Sequence, residues 1–281
     1  MKKTATNLYI KSIGAALNLL SIVSPSKATA IAYRLFSEPR SGRLSPTQLP
    51  KILQEATIEK IIVEDSFCQT YTWKGNDTVI LLIHGWESNA ARWENLLPFL
   101  QQNGNTVVAI DAPAHGLSSE KEFSIPHYAK FIHSAVQKFK PTYLIGHSIG
   151  GQTCLYYQSL HQSKAIQKMV ILGAPCDFNI ILSNYISLLR LNTTIAKNIE
   201  HYYLTHFQLD IHQFSSQLFA NKIDTQGFIA HDTEDTVVKF TEAKKIAKTW
   251  KNAVLFETKG LGHSMHDVQL YQKVTCFLFD S

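Results

Sequence analysis

A chain of 281 residues, 45% hydrophobic and 17% charged, is long enough for one large α/β domain or for a domain carrying an insertion, and its composition excludes long disorder. The net charge of +5 comes from scattered lysines. No Lys/Arg run and no interleaved aromatic pattern marks a nucleic-acid surface, so no nucleic-acid partner is expected. The four cysteines, Cys68, Cys154, Cys176 and Cys276, form no CxxC pair and no metal-ligand spacing, so neither a disulfide framework nor a metal site is implied. Cys154 and Cys276 sit in apolar runs and read as small core residues.

The N-terminal segment has two readings. Lys2 and Lys3 precede "IGAALNLLSIVSPSKATA" (13–30), whose apolar stretch and small residues Ala28 and Ala30 resemble a cleaved signal. The uncharged stretch between Lys11 and Lys27 is too short to span a bilayer. Tyr9, Ile13, Ala16/Leu17, Leu20 and Val23 recur at helical spacing. The expectation is an amphipathic helix, retained and packed on the domain in a cytoplasmic protein, with peripheral membrane contact through that helix as its secondary role. Residues 38–50, "EPRSGRLSPTQLP", read as a linker. The N-terminal helical segment and linker thus occupy 1–50, and the main domain 51–281.

From residue 78 onward, short apolar runs alternate with helical patterns. The runs are "TVILLIH" (78–84), "TVVAID" (106–111), "TYLIGH" (142–147), "KMVILGA" (168–174), "GFIAH" (227–231) and "NAVLFET" (252–258). Strands buried on both faces have this form. The stretches "ARWENLLPFLQQNG", "PHYAKFIHSAVQKFK", "GGQTCLYYQSLHQSKA" and "DTVVKFTEAKKIAKTW" between them have helical spacing. The fold class is therefore α/β, a mostly parallel sheet with helices on both faces. The interval from about 176 to 225 is longer than a crossover needs. It reads as an inserted helical cap, with Tyr185, Tyr202, Tyr203, Phe207, Phe214 and Phe219 as its aromatic content. Such aromatics pack the cap or line an apolar pocket.

In "YLIGHSIGGQ", Ser148 falls between the strand "TYLIGH" and the helix that follows, fenced by Gly146 and Gly150. Ligands of such sheets bind beyond the carboxyl ends of the strands. A serine held on a tight turn at a helix N-terminus can act as a nucleophile if a base accompanies it. His263 in "KGLGHSMH" lies in a loop at the same sheet edge, with His266 as its nearest rival. The acid that would orient the base comes from "AHDTEDTVV", which offers Asp232, Glu234 and Asp235, or from Asp177 after the preceding strand. Asp235 lies deepest, just before a helix expected near Thr236. Backbone N–H groups of Ile149 and Trp86 are placed to meet a developing oxyanion.

Taken in order, these segments resemble the α/β-hydrolase family. "LLIHGWESNAARWENLLPFL" is similar to its oxyanion strand, loop and helix. "VVAIDAPAHGLS" (107–118) is similar to its D-x-P-G-H-G-x-S stretch, with Ala114 where Gly is usual. "GHSIGG" resembles the nucleophile elbow, "HDTEDTVV" the acid loop and "GLGHSMH" the histidine loop. The resemblance covers 78–270 and implies Ser148, Asp235 and His263 as a triad, with Trp86 and Ile149 as N–H donors. It implies no cofactor and no metal. The expected function is hydrolysis of a carboxylic ester or thioester, the partner being a small apolar ester or acyl substrate. The alternatives are hydrolysis of a carbon–carbon bond on the same triad, or a non-catalytic binding module of the same fold.

Overall fold

The computed structural model describes residues 2–280, with side chains from Tyr9 onward. In chain order its elements are α1 (Lys2–Val23), α2 (Pro25–Ser37), α3 (Lys51–Gln54), β1 (Thr57–Val63), β2 (Ser66–Trp73), β3 (Asn76–Ile83), a 3-10 turn (Ala90–Trp93), α4 (Leu97–Gln101), β4 (Asn105–Ile110), α5 (Ile125–Phe139) and β5 (Tyr143–His147). There follow α6 (Ile149–His161), β6 (Lys168–Leu172), α7 (Phe178–Leu189), α8 (Thr193–His206), α9 (Ser216–Ala220), β7 (Gln226–Asp232), α10 (Phe240–Thr249), β8 (Ala253–Thr258) and α11 (Val268–Phe279). The chain divides into two compact units, Pro39–Cys176 with Ser216–Ser281, and Met1–Glu38 with Asp177–Ser215.

The larger unit holds one eight-stranded sheet in the order β1-β2-β4-β3-β5-β6-β7-β8. From β4 to β8 every pairing is parallel, whereas β1 and β2 run antiparallel at one edge. The six expected strands are all present. The inner ones, such as Ile80–Ile83 and Val107–Ile110, are wholly buried, because β-branched and leucine side chains fill both faces. The β1–β2 hairpin was not foreseen. Its outer strand, TIEKIIV, is exposed along most of its length and carries no continuous apolar run.

Four local expectations need correction. The segment "ARWENLLPFLQQNG" is a 3-10 turn and the short α4 rather than one helix, because Pro98 can sit only in the first turn of a helix. Helix α10 starts at Phe240, not near Thr236; Asp235 binds the amides of Val237 and Val238 ahead of it. Cys276 is exposed, not core. On α11 the buried stripe is Leu270, Tyr271, Val274 and Leu278, and Cys276 lies off that stripe. The stretch 38–50 is no free tether: Arg43 donates from its guanidinium to the carbonyls of Ser118 and Glu120.

The smaller unit joins α1 and α2 to α7 and α8. Within this unit the N-terminal helices pack on inserted helices of the 51–281 domain; of the insertion expected over about 176–225, Asp177–Ser215 belongs to this unit and the rest to the larger one. The packed face of α1 also differs from the expected stripe. Tyr9 and Val23 are exposed, and the buried positions are Gly14, Leu17 and Ser21. The reason is a close backbone approach: a Cβ on Gly14 would lie 1.6 Å from the Leu189 carbonyl oxygen. One turn on, the Asn18 carboxamide donates to Arg190 O (2.8 Å) and accepts from Asn192 N (2.8 Å), satisfying backbone groups in the α7–α8 turn. Asn192 donates in turn to Ser21 Oγ (2.7 Å) and caps α8 through Ile195 N (3.0 Å). From α2, Ala28, Ala32 and Tyr33 are buried, and Ala32 O accepts from Tyr185 (2.6 Å). The aromatics Tyr203, Phe214 and Phe178 pack on one another inside this unit. Phe219 instead meets Tyr156 in the larger unit.

Gly14→Ala should therefore lower stability by about 2 kcal/mol, the ordinary cost of forcing atoms into a filled site. Ala16→Leu, on the exposed side of the same helix, should leave the melting temperature unchanged. Parallel thermal melts check both.

Candidate active site

Ser148 joins β5 to α6 with φ 54° and ψ −128°, a backbone region unfavourable to any residue with a Cβ. The surrounding crowding holds it there. A Cβ on Gly150 would lie 2.3 Å from His84 O, and one on Gly85 would lie 2.9 Å from the Ser148 Cβ. The two glycines are spacers that let the 84–86 turn touch the Ser148 turn. Ser148 N–H donates to Leu172 O (2.8 Å).

His263 reaches Ser148 from the loop between β8 and α11. Its Nε2 lies 2.9 Å from Ser148 Oγ, and its Nδ1 lies 2.7 Å from Asp235 Oδ2. Asp235 follows β7. Its Oδ1 accepts from Val237 N (2.8 Å) and Val238 N (3.0 Å), and Oδ2 also lies 3.4 Å from His231 Nε2. Burial pushes the Asp235 carboxyl upward, but the bonds from His231, His263 and the Val238 amide outweigh it and hold the group well below the usual carboxylate range. An ionised Asp235 fixes the His263 proton on Nδ1 and leaves Nε2 free to accept from the Ser148 hydroxyl.

The rival acids and base do other work. Asp232 accepts from Leu261 N (2.9 Å), Thr258 Oγ1 (3.0 Å) and Glu234 N (2.9 Å), so it ties the acid loop to the histidine loop. Glu234 lies beside Lys259 at 3.7 Å on the surface. Asp177 accepts from Ser215 Oγ (2.6 Å), and His266 bonds Tyr271 OH (2.7 Å).

Several supporting residues were not picked out from the sequence. His231 stands four residues before Asp235 and bonds Val238 O (2.8 Å) as well as approaching the carboxylate. His147 donates from Nε2 to His263 O (2.8 Å), and burial holds its imidazole well below the ordinary histidine range. Arg92 donates to Ser264 O (3.0 Å). The i, i+4 spacing of His231 and Asp235 was the one visible signal among these.

The 84–90 turn is anchored from beneath by buried groups. His84 donates to Gly85 O (2.7 Å) and accepts from Ala112 N (2.9 Å). His115 accepts from Glu87 N (3.0 Å), and Asp111 accepts from Ala90 N (2.9 Å) and Tyr71 OH (2.9 Å). Trp86 follows the Gly85 contact with Ser148, and its ring rests on His115 and Phe123. Ile149 opens α6, where the first N–H groups have no intrahelical acceptor. Ile149 directly follows Ser148, and Trp86 follows Gly85, whose turn packs against Ser148. Ala114 holds φ 64°, the left-handed conformation that suits glycine, at a cost of about 1 kcal/mol.

This buried histidine scaffold predicts an acid limb in stability. Burial lowers His115 to about 4 and drives His84 well below the ordinary value of 6.5. Between about 6.5 and 4 the unfolded chain binds protons that folded His115 does not, so stability falls as pH drops through that window. The slope is about 1.4 kcal/mol per pH unit for each such group. Urea midpoints at pH 7.5 and pH 5 check this. His115→Gln should lose less stability between the two pH values than the parent chain.

A sequence profile of the α/β-hydrolase fold matches residues 78–203, and solved hydrolases share the observed sheet. The chain has the α/β-hydrolase fold. It is similar to a serine hydrolase-like protein of Danio rerio, 32% identical over 99 residues that make up 33% of this chain and 30% of that one. It is similar also to the monoacylglycerol lipase ABHD6 of Homo sapiens, 31% identical over 121 residues, or 40% of this chain and 36% of that one. The chain thus spans about a third of the length of these curated relatives. Among solved structures, Est1E from Butyrivibrio proteoclasticus with bound ferulic acid superposes with a TM-score of 0.66 at 18% identity, covering 78% of this chain and 97% of that one. No helix among the described residues is long and apolar enough to cross a membrane.

Proposed function

We propose that this chain is a serine hydrolase that cleaves carboxylic esters or thioesters through an acyl-enzyme. Ser148 Oγ attacks the acyl carbonyl as its proton passes to His263 Nε2. The imidazolium so formed is stabilised by Asp235, which stays ionised and keeps the ring in one tautomer. The oxyanion is met by the N–H groups of Ile149 and Trp86, reinforced by the positive end of α6. His263 then gives its proton to the leaving group. In the second half it takes a proton from water, which attacks the acyl carbon, and returns that proton to Ser148 Oγ as the acid product leaves.

The observation that carries this reading is the unbroken run from Ser148 Oγ through His263 to Asp235, at 2.9 and 2.7 Å. The substrate proposed is a small ester with an apolar acyl group. The test is labelling of the full chain by a fluorophosphonate probe, followed by a series of p-nitrophenyl esters of increasing acyl length. Labelling with turnover of short and medium esters is expected. A binding module would leave the probe unreacted. A carbon–carbon bond hydrolase would react with the probe and turn over a vinylogous diketone in preference to the esters.

A further inference from the structure

Residues 1–37 hold Lys2, Lys3, Lys11, Lys27 and Arg34 and no carboxylate; Glu38 is the first in the chain. With 27 Lys and Arg against 22 Asp and Glu overall, these five cations account for the entire net charge of +5 and leave 22 of each sign elsewhere. The charge of the protein is concentrated in one segment.

That segment also turns an apolar face outward. On α1, Ala15, Ala16, Leu19, Ile22 and Val23 recur at spacings of three and four and are all exposed. Leu19 is 67% exposed, Ile22 78% and Val23 87%. At about 100° per residue, Tyr9 and Lys11 flank this stripe at about 80° on either side of Leu19. The opposite side of α1, at Gly14, Leu17 and Ser21, is the one that packs on α7 and α8. Exposed Ile31 and Lys27 continue the same chemistry into α2.

We propose that the outer face of α1 docks on an anionic lipid surface, lying in the plane of the interface. Leu19, Ile22 and Val23 enter the acyl boundary, and the lysines meet the headgroup phosphates. The two signals belong together, since a few apolar side chains or a few cations alone hold a protein only weakly and reversibly at a bilayer. Charge selects this occupant over a second copy of the chain. A two-fold contact through this face would bring two carboxylate-free cationic segments together, while a phosphatidylserine surface supplies the missing negative charge. Arg34, exposed and 3.6 Å from Glu38, contributes least of the five.

The test is flotation of the full chain with vesicles of phosphatidylcholine alone and with roughly one-third phosphatidylserine. Binding to the anionic vesicles should be at least about tenfold tighter, and about 0.5 M salt should remove that preference. The Leu19→Gln/Ile22→Gln/Val23→Gln variant should bind anionic vesicles at least about tenfold more weakly. The Lys11→Gln/Lys27→Gln variant should lose the preference for phosphatidylserine. Every substituted side chain is exposed, so unchanged melting temperatures exclude misfolding as the cause. Equal binding to both vesicle types, no binding to either, or full binding by the triple glutamine variant would each overturn the proposal. So would a lipid-free dimer that the triple variant dissociates, which would assign the face to a second copy.

Discussion

Ser148→Ala is expected to lower ester turnover at least about 10⁴-fold, the scale on which nucleophile removal acts in triad enzymes, and to abolish probe labelling. The fold should survive. Alanine keeps the Cβ that touches the Gly85 turn and the same φ of 54°, so it neither opens a cavity nor relieves the backbone. Ser148→Gly separates the two properties of this position. It removes the hydroxyl too, so it should be equally inactive, yet it relaxes a conformation that costs about 1–3 kcal/mol with any Cβ present. The glycine variant should therefore be more stable than the alanine variant in urea titrations. Turnover retained in either purified variant would remove Ser148 from the mechanism. Equal stability of the two would show that the turn stores no strain at this residue.

The parts of this molecule that were legible in its sequence are those set by neighbouring residues. Strands β3 to β8 announce themselves because burial on both faces demands unbroken apolar runs. Ser148, Asp235 and His263 could be placed because each follows such a strand at the same edge of a parallel sheet. Strands β1 and β2 lie at the antiparallel end of the sheet; β1 is exposed, and β2, though buried, is built of Ser66, Gln69, Thr70 and Thr72 among its apolar residues, so neither shows an unbroken apolar run. The contact face of the N-terminal helices was misread for a different reason. Their contacts run to residues about 170 positions away, as Asn18 to Arg190 and Asn192. The contact face is built on a glycine and polar side chains instead of an apolar stripe, so periodicity pointed at exposed Tyr9 and Val23. Asp232 and Asp235 are both acids in one loop, and Asp235 was preferred there for its depth in the loop rather than for its chemistry. What separates them is which oxygen faces His263 and which faces the amide of Leu261, a matter of geometry alone.

Asp235→Asn is expected to cost about 10³–10⁴-fold in turnover, by trapping the wrong tautomer. The two carboxylate oxygens have different tasks. Oδ1 accepts from the amides of Val237 and Val238, so an asparagine must keep its oxygen there. Its NH₂ group then occupies the Oδ2 position, 2.7 Å from His263 Nδ1. Two donors cannot face each other, so His263 moves its proton to Nε2 and can no longer accept from Ser148. The fold should tolerate the change, because the amide contacts that shape the loop are retained. Asp177→Asn keeps an acceptor for Ser215 Oγ and touches neither ring nitrogen of His263, so its turnover should stay within about twofold of the parent. Side-by-side kcat/KM values for one p-nitrophenyl ester decide the matter. If Asp177→Asn carried the large loss and Asp235→Asn did not, the acid would belong to the loop after β6, and the tautomer argument would fail with it.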